Sequence, residues 1–391
     1  MSEPFELYSH QIDADPFPGY TLLRDEYPCY WSKTANLWIL SRYDDVVEAA
    51  TDWQTYSSLN GNLIDEIPGR SGGTLGTTDP PRHDRLRALA QVAFVRRNLE
   101  HLALPAVELA DAALHKIKDK RQFDFVSEFS SHVTVGTIFR MLGLPERDST
   151  ETRNEVVLSI STDKEKRGRN PELDAAFKRL AKFLSDEVSM RRKSPADDLI
   201  THLAEAKIDG DRLSDREVVL TTTMFVVAGV ESLSSFMSMF ALNLAENAEA
   251  RRKLANNSEK IPQAIEESLR YNTSAQRFKR TLTRDVTLHG KTMKSGDTVV
   301  LAYGSANRDE RKFEDPEVYD IDRNPKGHLG FGTGKHFCIG NTFARMVADI
   351  AMRRLLEVIP DFSVADPNFE WVSSSNFRSP VKLPLAIEMT N

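Results

Sequence analysis

Residues 331–340 read FGTGKHFCIG, and a run with helical periodicity follows at 341–358. The decade carries Cys338, one of two cysteines in the 391-residue chain. A sulfur at a helix start faces unpaired N–H groups and the positive end of the helix dipole, which favour a thiolate. One thiolate is too few for a structural zinc site. It suits the single axial position of a haem, where cysteine pushes electron density onto iron. Gly332 and Gly334 permit a tight loop that a Cβ would hinder. Alone, a cysteine reads as a small buried hydrophobe. The fixed spacing of Phe331, His336 and Gly340 around it weighs against that reading.

The pattern F-G-x-G-x-H-x-C-x-G resembles the signature of the cytochrome P450 superfamily, the haem-thiolate monooxygenases. The resemblance implies haem b as cofactor, with Cys338 on the iron, Phe331 shielding the sulfur and His336 reaching a propionate. Gly332 and Gly340 would serve the loop and the close approach of the helix to the macrocycle. Length alone suggests two or three domains at roughly 150 residues each. The resemblance instead implies one mainly α domain with small β-sheets over residues 1–391, β-rich near 28–42, 286–303 and 371–391.

The resemblance extends along the chain. Residues 57–78 are rich in Gly, Ser, Thr and Asn without a period, and a loop of that length is usually functional or disordered. In the family it joins the B and C helices above the haem. Residues 79–87, DPPRHDRLR, open a helix with prolines at its entry. His83 and Arg87 stand four apart on one face; alone they read as a wet basic face, and in the family they grip a propionate. Helical periodicity runs from 99 to 193, with breaks near 119–122, 143–147 and 168–171. Residues 148–193 would form the F/G lid.

Ser214 and Glu217 form a capping box ahead of a long apolar run to about residue 247. Midway stand Ala228, Gly229, Val230, Glu231 and Ser232. The family expects an acid and a threonine here; this chain has Glu231 and Ser232. The resemblance gives Glu231 and Ser232 a proton relay to oxygen, and Ala228 and Gly229 the room above the iron. Serine is freer at χ1 than threonine, so looser water control is expected. Glu267 and Arg270 form E-x-x-R, three apart on a helix; the family buries this pair with a later arginine, which Arg323 matches, in a structural role. The family usually has a proline after this helix; residues 273–275, TSA, lack one. Arg280, in RTLTRDV, would be a further propionate partner. Ala275, Phe278 and Val227 would face substrate. Arg70, and secondarily Arg277, could pair with a substrate carboxylate.

A net charge of −7 argues against a nucleic-acid partner held by general electrostatics. Two cysteines in unrelated contexts give no disulfide framework and fit a reducing cytosol. Residues 1–20 are acidic and polar, unlike a secretion signal, and no uncharged apolar run approaches bilayer length. These features lead to the expectation of a cytoplasmic protein with no membrane partner. The expected function is insertion of one oxygen atom from O2 into a small organic substrate, by hydroxylation or O-dealkylation. Electrons would come from NAD(P)H through a separate ferredoxin and ferredoxin reductase. Lys335 and the cluster Lys116, Lys118, Lys120 and Arg121 are candidate docking cations, or simply a solvated face. The phrases SANRD, YDI and HLGFG resemble branches that oxidise small aromatic compounds, aromatic acids included. The alternatives are a terpenoid, fatty-acid or natural-product tailoring hydroxylase, a peroxide-driven enzyme, and a non-catalytic haem sensor.

Overall fold

The computed structural model describes residues 3–96 and 99–388. The architecture is built around a 32-residue helix, Asp215–Glu246. Its start is fixed by the expected capping box: Ser214 Oγ accepts from Glu217 N–H at 3.3 Å, and Glu217 Oε2 accepts from Ser214 N–H at 2.9 Å. Length and composition would let this helix cross a bilayer, contrary to the sequence expectation, because the lone charge of Glu231 does not offset its apolar flanks. Yet 78% of its most apolar window is buried inside the protein. Helices Ser131–Leu142, Ser149–Ile160 and Pro171–Lys193 pack on it, so it is the axis of the core.

The cysteine helix, Asn341–Val358, lies between helices Ala103–Ile117 and Ile261–Tyr271. The run expected to be helical from 99 to 193 is interrupted by the strand Gln122–Asp124. That strand pairs with Pro384–Ile387, Phe123 opposite Leu385, and buries both side chains.

The larger sheet has the order Cys29–Ser32, Leu37–Leu40, Thr298–Leu301, Phe278–Leu282 and Tyr56–Ser57. Its fourth strand begins before the expected β-rich part at 286. Phe278 and Arg280 are two residues apart on that strand and share a face, while Lys279 points oppositely. This parity sends an aromatic ring and a guanidinium to the same side.

The segment leading to the cysteine loop is held by a buried carboxylate. Glu267 and Arg270 are both fully buried, and two parallel bonds of 2.8 Å join them. Glu267 Oε1 also accepts from Arg323 Nε at 3.2 Å and from the Asp320 N–H at 3.1 Å. Arg270 donates onward to the carbonyls of Asn307 and Pro316. Arg270→Met would strand much of the Glu267 charge. Loss of one partner of a buried pair is expected to cost about 3–5 kcal/mol, read as a lowered urea midpoint. An unchanged midpoint would show that the trio holds nothing.

Candidate active site

The cysteine loop closes on itself through one hydrogen bond, Cys338 N–H to the Phe331 carbonyl at 2.9 Å. Gly332 and Gly334 both have φ of 68°, and a Cβ on Gly334 would meet the Ala50 carbonyl oxygen at 2.8 Å. Gly340 caps the following helix, and Asn341 Nδ2 donates to the Cys338 carbonyl at 2.8 Å. Burial pushes the Cys338 thiol up, and the Gly340 N–H and the Arg87 and Arg345 guanidiniums offset this only in part. The helix start therefore does not by itself secure a thiolate. Deprotonation would accompany metal binding, as it does for thiol ligands generally.

Cys338 lines a cavity of about 340 Å³. Phe331, Gly332 and Gly340 line it beside the sulfur; His336 of the same loop, and His83, Arg87 and Arg280 from two further segments, add nitrogen groups. His83 is buried, with Nδ1 3.0 Å from Asp84 Oδ1 and Nε2 without a partner. Burial holds the His83 pKa below the ordinary imidazole value. Burial, then the Arg280 charge, lowers His336 to about 3; its Nε2 lies 3.1 Å from Ser58 Oγ. Arg87 Nη1 donates to the Phe337 carbonyl at 2.8 Å, and Arg280 Nη1 to the Lys279 carbonyl at 2.8 Å. Among the described residues no carboxylate oxygen lies within 4.0 Å of either guanidinium. An unpartnered buried imidazole nitrogen and two uncompensated guanidiniums beside a lone cysteine fit a dianionic, iron-bearing ligand such as haem.

Val227, Ala228, Gly229 and Ser232 line the same cavity. Ser232 Oγ donates to the Ala228 carbonyl at 2.5 Å. Gly229 has a second reason for its bareness: a Cβ there would come 2.9 Å from Ile138 Cδ1 on the neighbouring helix. Glu231 departs from expectation. It is buried and does not line the cavity, because one step along a helix turns the side chain by about 100°. Its Oε1 accepts from Ser235 Oγ at 2.8 Å, and its Oε2 lies 3.8 Å from Arg153 Nη2. Arg153, on the helix Ser149–Ile160, donates in turn to Ser379 Oγ at 3.1 Å.

Ala275 and Phe278 line the cavity as expected, with Phe377 edge-on to Phe278 at 5.7 Å. Arg70 also reaches it, but not as a free cation: Glu66 already pairs with it at 2.7 and 2.8 Å. Arg277 is fully buried outside the cavity, bonded to the Ser375 carbonyl at 2.7 Å and Tyr20 Oη at 3.0 Å. Neither arginine fits the carboxylate-binding role expected of it. Sequence reasoning missed Asp65, whose only signal was a second acid beside Glu66 in a loop with few charges. Its carboxylate accepts from Tyr8 Oη at 3.0 Å, Thr162 Oγ1 at 2.6 Å and Ser375 Oγ at 2.6 Å. One group thus ties four distant segments together.

A helix-dominated fold with a lone cysteine on a glycine loop beneath a long core helix defines a haem-thiolate class of protein. The sequence model described as Cytochrome P450 matches residues 17–368, and the chain belongs to that family, which binds iron protoporphyrin IX. It is similar to cytochrome P450 107B1 of Saccharopolyspora erythraea, 33% identical, with 94% of this chain and 93% of that one covered. The structure of the cytochrome P450 PksS of the Bacillus subtilis bacillaene polyketide synthase superimposes with a TM-score of 0.89 at 28% identity, covering 98% of this chain and all of the other. CYP109E1 of Bacillus megaterium in complex with testosterone gives 0.83 at 30% identity, covering 96% of this chain and all of the other.

Asp65→Asn keeps one oxygen and loses the charge that strengthens its three hydrogen bonds. Residues 161–169 carry Lys164, Lys166, Arg167 and Arg169, so trypsin reports their opening. Loss of one charge-assisted bond predicts cleavage there about tenfold faster; an unchanged rate would show that Asp65 does not hold this segment in place.

Proposed function

We propose that this cytochrome P450 monooxygenase inserts one oxygen atom from O2 into a neutral, largely apolar small molecule. The observation that carries this reading is the meeting of Cys338 with His83, Arg87, Arg280 and His336 on one cavity. Cys338 would bind the iron of haem b, and the four nitrogen-bearing side chains would hold its propionates. When bound, the haem supplies oxygen activation. The chain's residues position and protonate. The Phe331 ring, with the Arg345 guanidinium 4.4 Å over it, covers the sulfur side. Ser232 offers a hydroxyl to the cavity, and Glu231 stands one step behind it, accepting from Ser235 Oγ. Substrate would lie against Val227, Ala275, Phe278 and Phe377.

The pairing of Arg70 with Glu66 moves the substrate away from aromatic acids. The steroid bound by CYP109E1 and the polyketide setting of PksS support a neutral, apolar molecule of that kind. Redox partners follow from the family, and a separate ferredoxin with its reductase is our assignment. Lys116 and Lys118 remain exposed for it, whereas Lys335 is paired with Asp84 at 2.9 Å. The burial of the apolar helix in the core supports a cytoplasmic enzyme.

One observation favours a second reading: Ser232 is bonded to its own helix and Glu231 faces away from the cavity. That arrangement suits peroxide as the oxygen source. Turnover with hydrogen peroxide alone, against ferredoxin, reductase and NADH, separates the two.

Reduced protein exposed to carbon monoxide should show the haem-thiolate band, and Cys338→Ala should abolish it; full turnover in that variant would overturn the assignment. Glu231→Gln should lower turnover by about 10²-fold, the scale of a lost proton donor, with substrate affinity unchanged. Ser232→Thr restricts χ1 and should raise product formed per NADH consumed. An unchanged yield would remove Ser232 from water control.

A further inference from the structure

The carboxylate of Glu66 serves more groups than Arg70. Its Oε2 accepts from the N–H groups of Asn62 and Leu63 at 2.9 and 3.1 Å, and its Oε1 from that of Ile67 at 3.1 Å. The same two oxygens take Arg70 Nε at 2.7 Å and Nη2 at 2.8 Å, a planar two-pronged match. Arg70 Nη2 also donates to Asn62 Oδ1 at 2.6 Å. The loop folds tightly enough over this carboxylate that a Cβ on Gly61, at φ 95°, would overlap Glu66 Oε2. Asn62, Leu63, Ile67 and Arg70 all line the cavity, and Glu66 does not. A cation thus stands at the cavity wall, cancelled from behind by an anion that does not line the cavity.

We infer that Glu66 sets substrate charge selectivity: it masks Arg70, and its loss would turn the cavity from one that takes neutral molecules into one that selects amphipathic carboxylates. This rests on the reading of the cavity as the substrate site. Glu66→Gln is the informative change. The amide keeps one oxygen for the loop N–H groups but presents a donor to the guanidinium. Arg70 then loses its partner and keeps its place on the wall. A carboxylate headgroup would supply the missing acceptors, and a methyl ester of the same chain could not.

The test is isothermal titration of decanoate and methyl decanoate into the haem-loaded full chain. Wild type should favour the ester or bind the two equally. Glu66→Gln should shift the ratio towards decanoate by about ten- to a hundredfold, the scale of a hydrogen bond to a charged group. Glu66→Gln with Arg70→Met should return the ratio to that of wild type. An unchanged ratio in Glu66→Gln overturns the inference, as does a gain that survives the second substitution. Should Glu66→Gln fail to fold, Arg70→Met alone decides: it bares the Glu66 carboxylate, and decylamine should bind about tenfold more tightly. Unchanged decylamine binding overturns the inference. Absence of the carbon monoxide band would sink the haem reading instead, while an altered or unaltered ratio in protein that shows the band speaks only to Glu66.

Discussion

The carboxylate of Glu267 is the constraint from which the active site is built. A charge with no exposed surface persists only where partners replace its lost hydration. Here two guanidiniums and a backbone N–H do so. The partners come from the helix Ile261–Tyr271 and from residues 320–323, so the ion trio fixes one against the other. Gly330 then lies so close to that helix that a Cβ would meet the Leu269 carbonyl oxygen at 2.8 Å. The loop beginning at Phe331 starts from a fixed point, and the position of Cys338 follows from it. A structural ion cluster, remote from any chemistry, therefore places the one sulfur that matters.

The cavity is electrically divided. Burial keeps His83 and His336 neutral at ordinary pH, so they offer hydrogen bonds and no charge. Arg87 and Arg280 supply the positive charge. Arg70, on the same cavity wall, is cancelled by Glu66. Glu231 is also neutralised away from the chamber, beside Arg153. Among the described residues, the cavity charge left without a carboxylate partner is thus that of Arg87 and Arg280.

Much of this was legible in residue spacing. The cysteine loop, the capping box and E-x-x-R each depend on contacts within ten residues, and local spacing encodes those. The errors arose where direction mattered more than position. Glu231 and Ser232 are neighbours in sequence, but helical geometry sets them on different faces. Arg277 lies one residue before the strand that sends Phe278 and Arg280 into the cavity, so the two-residue period already turns it away. Glu66 and Arg70 are four apart, as in a helical pair, yet they meet in a loop, where no periodicity announces the contact.

Residues 161–169 are held by a different kind of bond from the core. Lys164 and Asp13 form a buried pair at 2.9 Å, joining that segment to the helix His10–Ala14. Burial lowers the Lys164 pKa and raises that of Asp13, so both shifts disfavour the ionised forms. Each therefore holds its charge through the other. Such a pair adds little net stability over an apolar contact, because desolvation offsets the attraction. It has one property an apolar contact lacks: on separation, water can solvate both ends. With the hydroxyl contacts of Asp65 alongside, this segment is held by polar groups that water could solvate in their place. The helix Asp215–Glu246, buried over most of its apolar length, offers no such exchange. Regions of low local stability are those whose contacts water can replace, which sets residues 161–169 apart from the core.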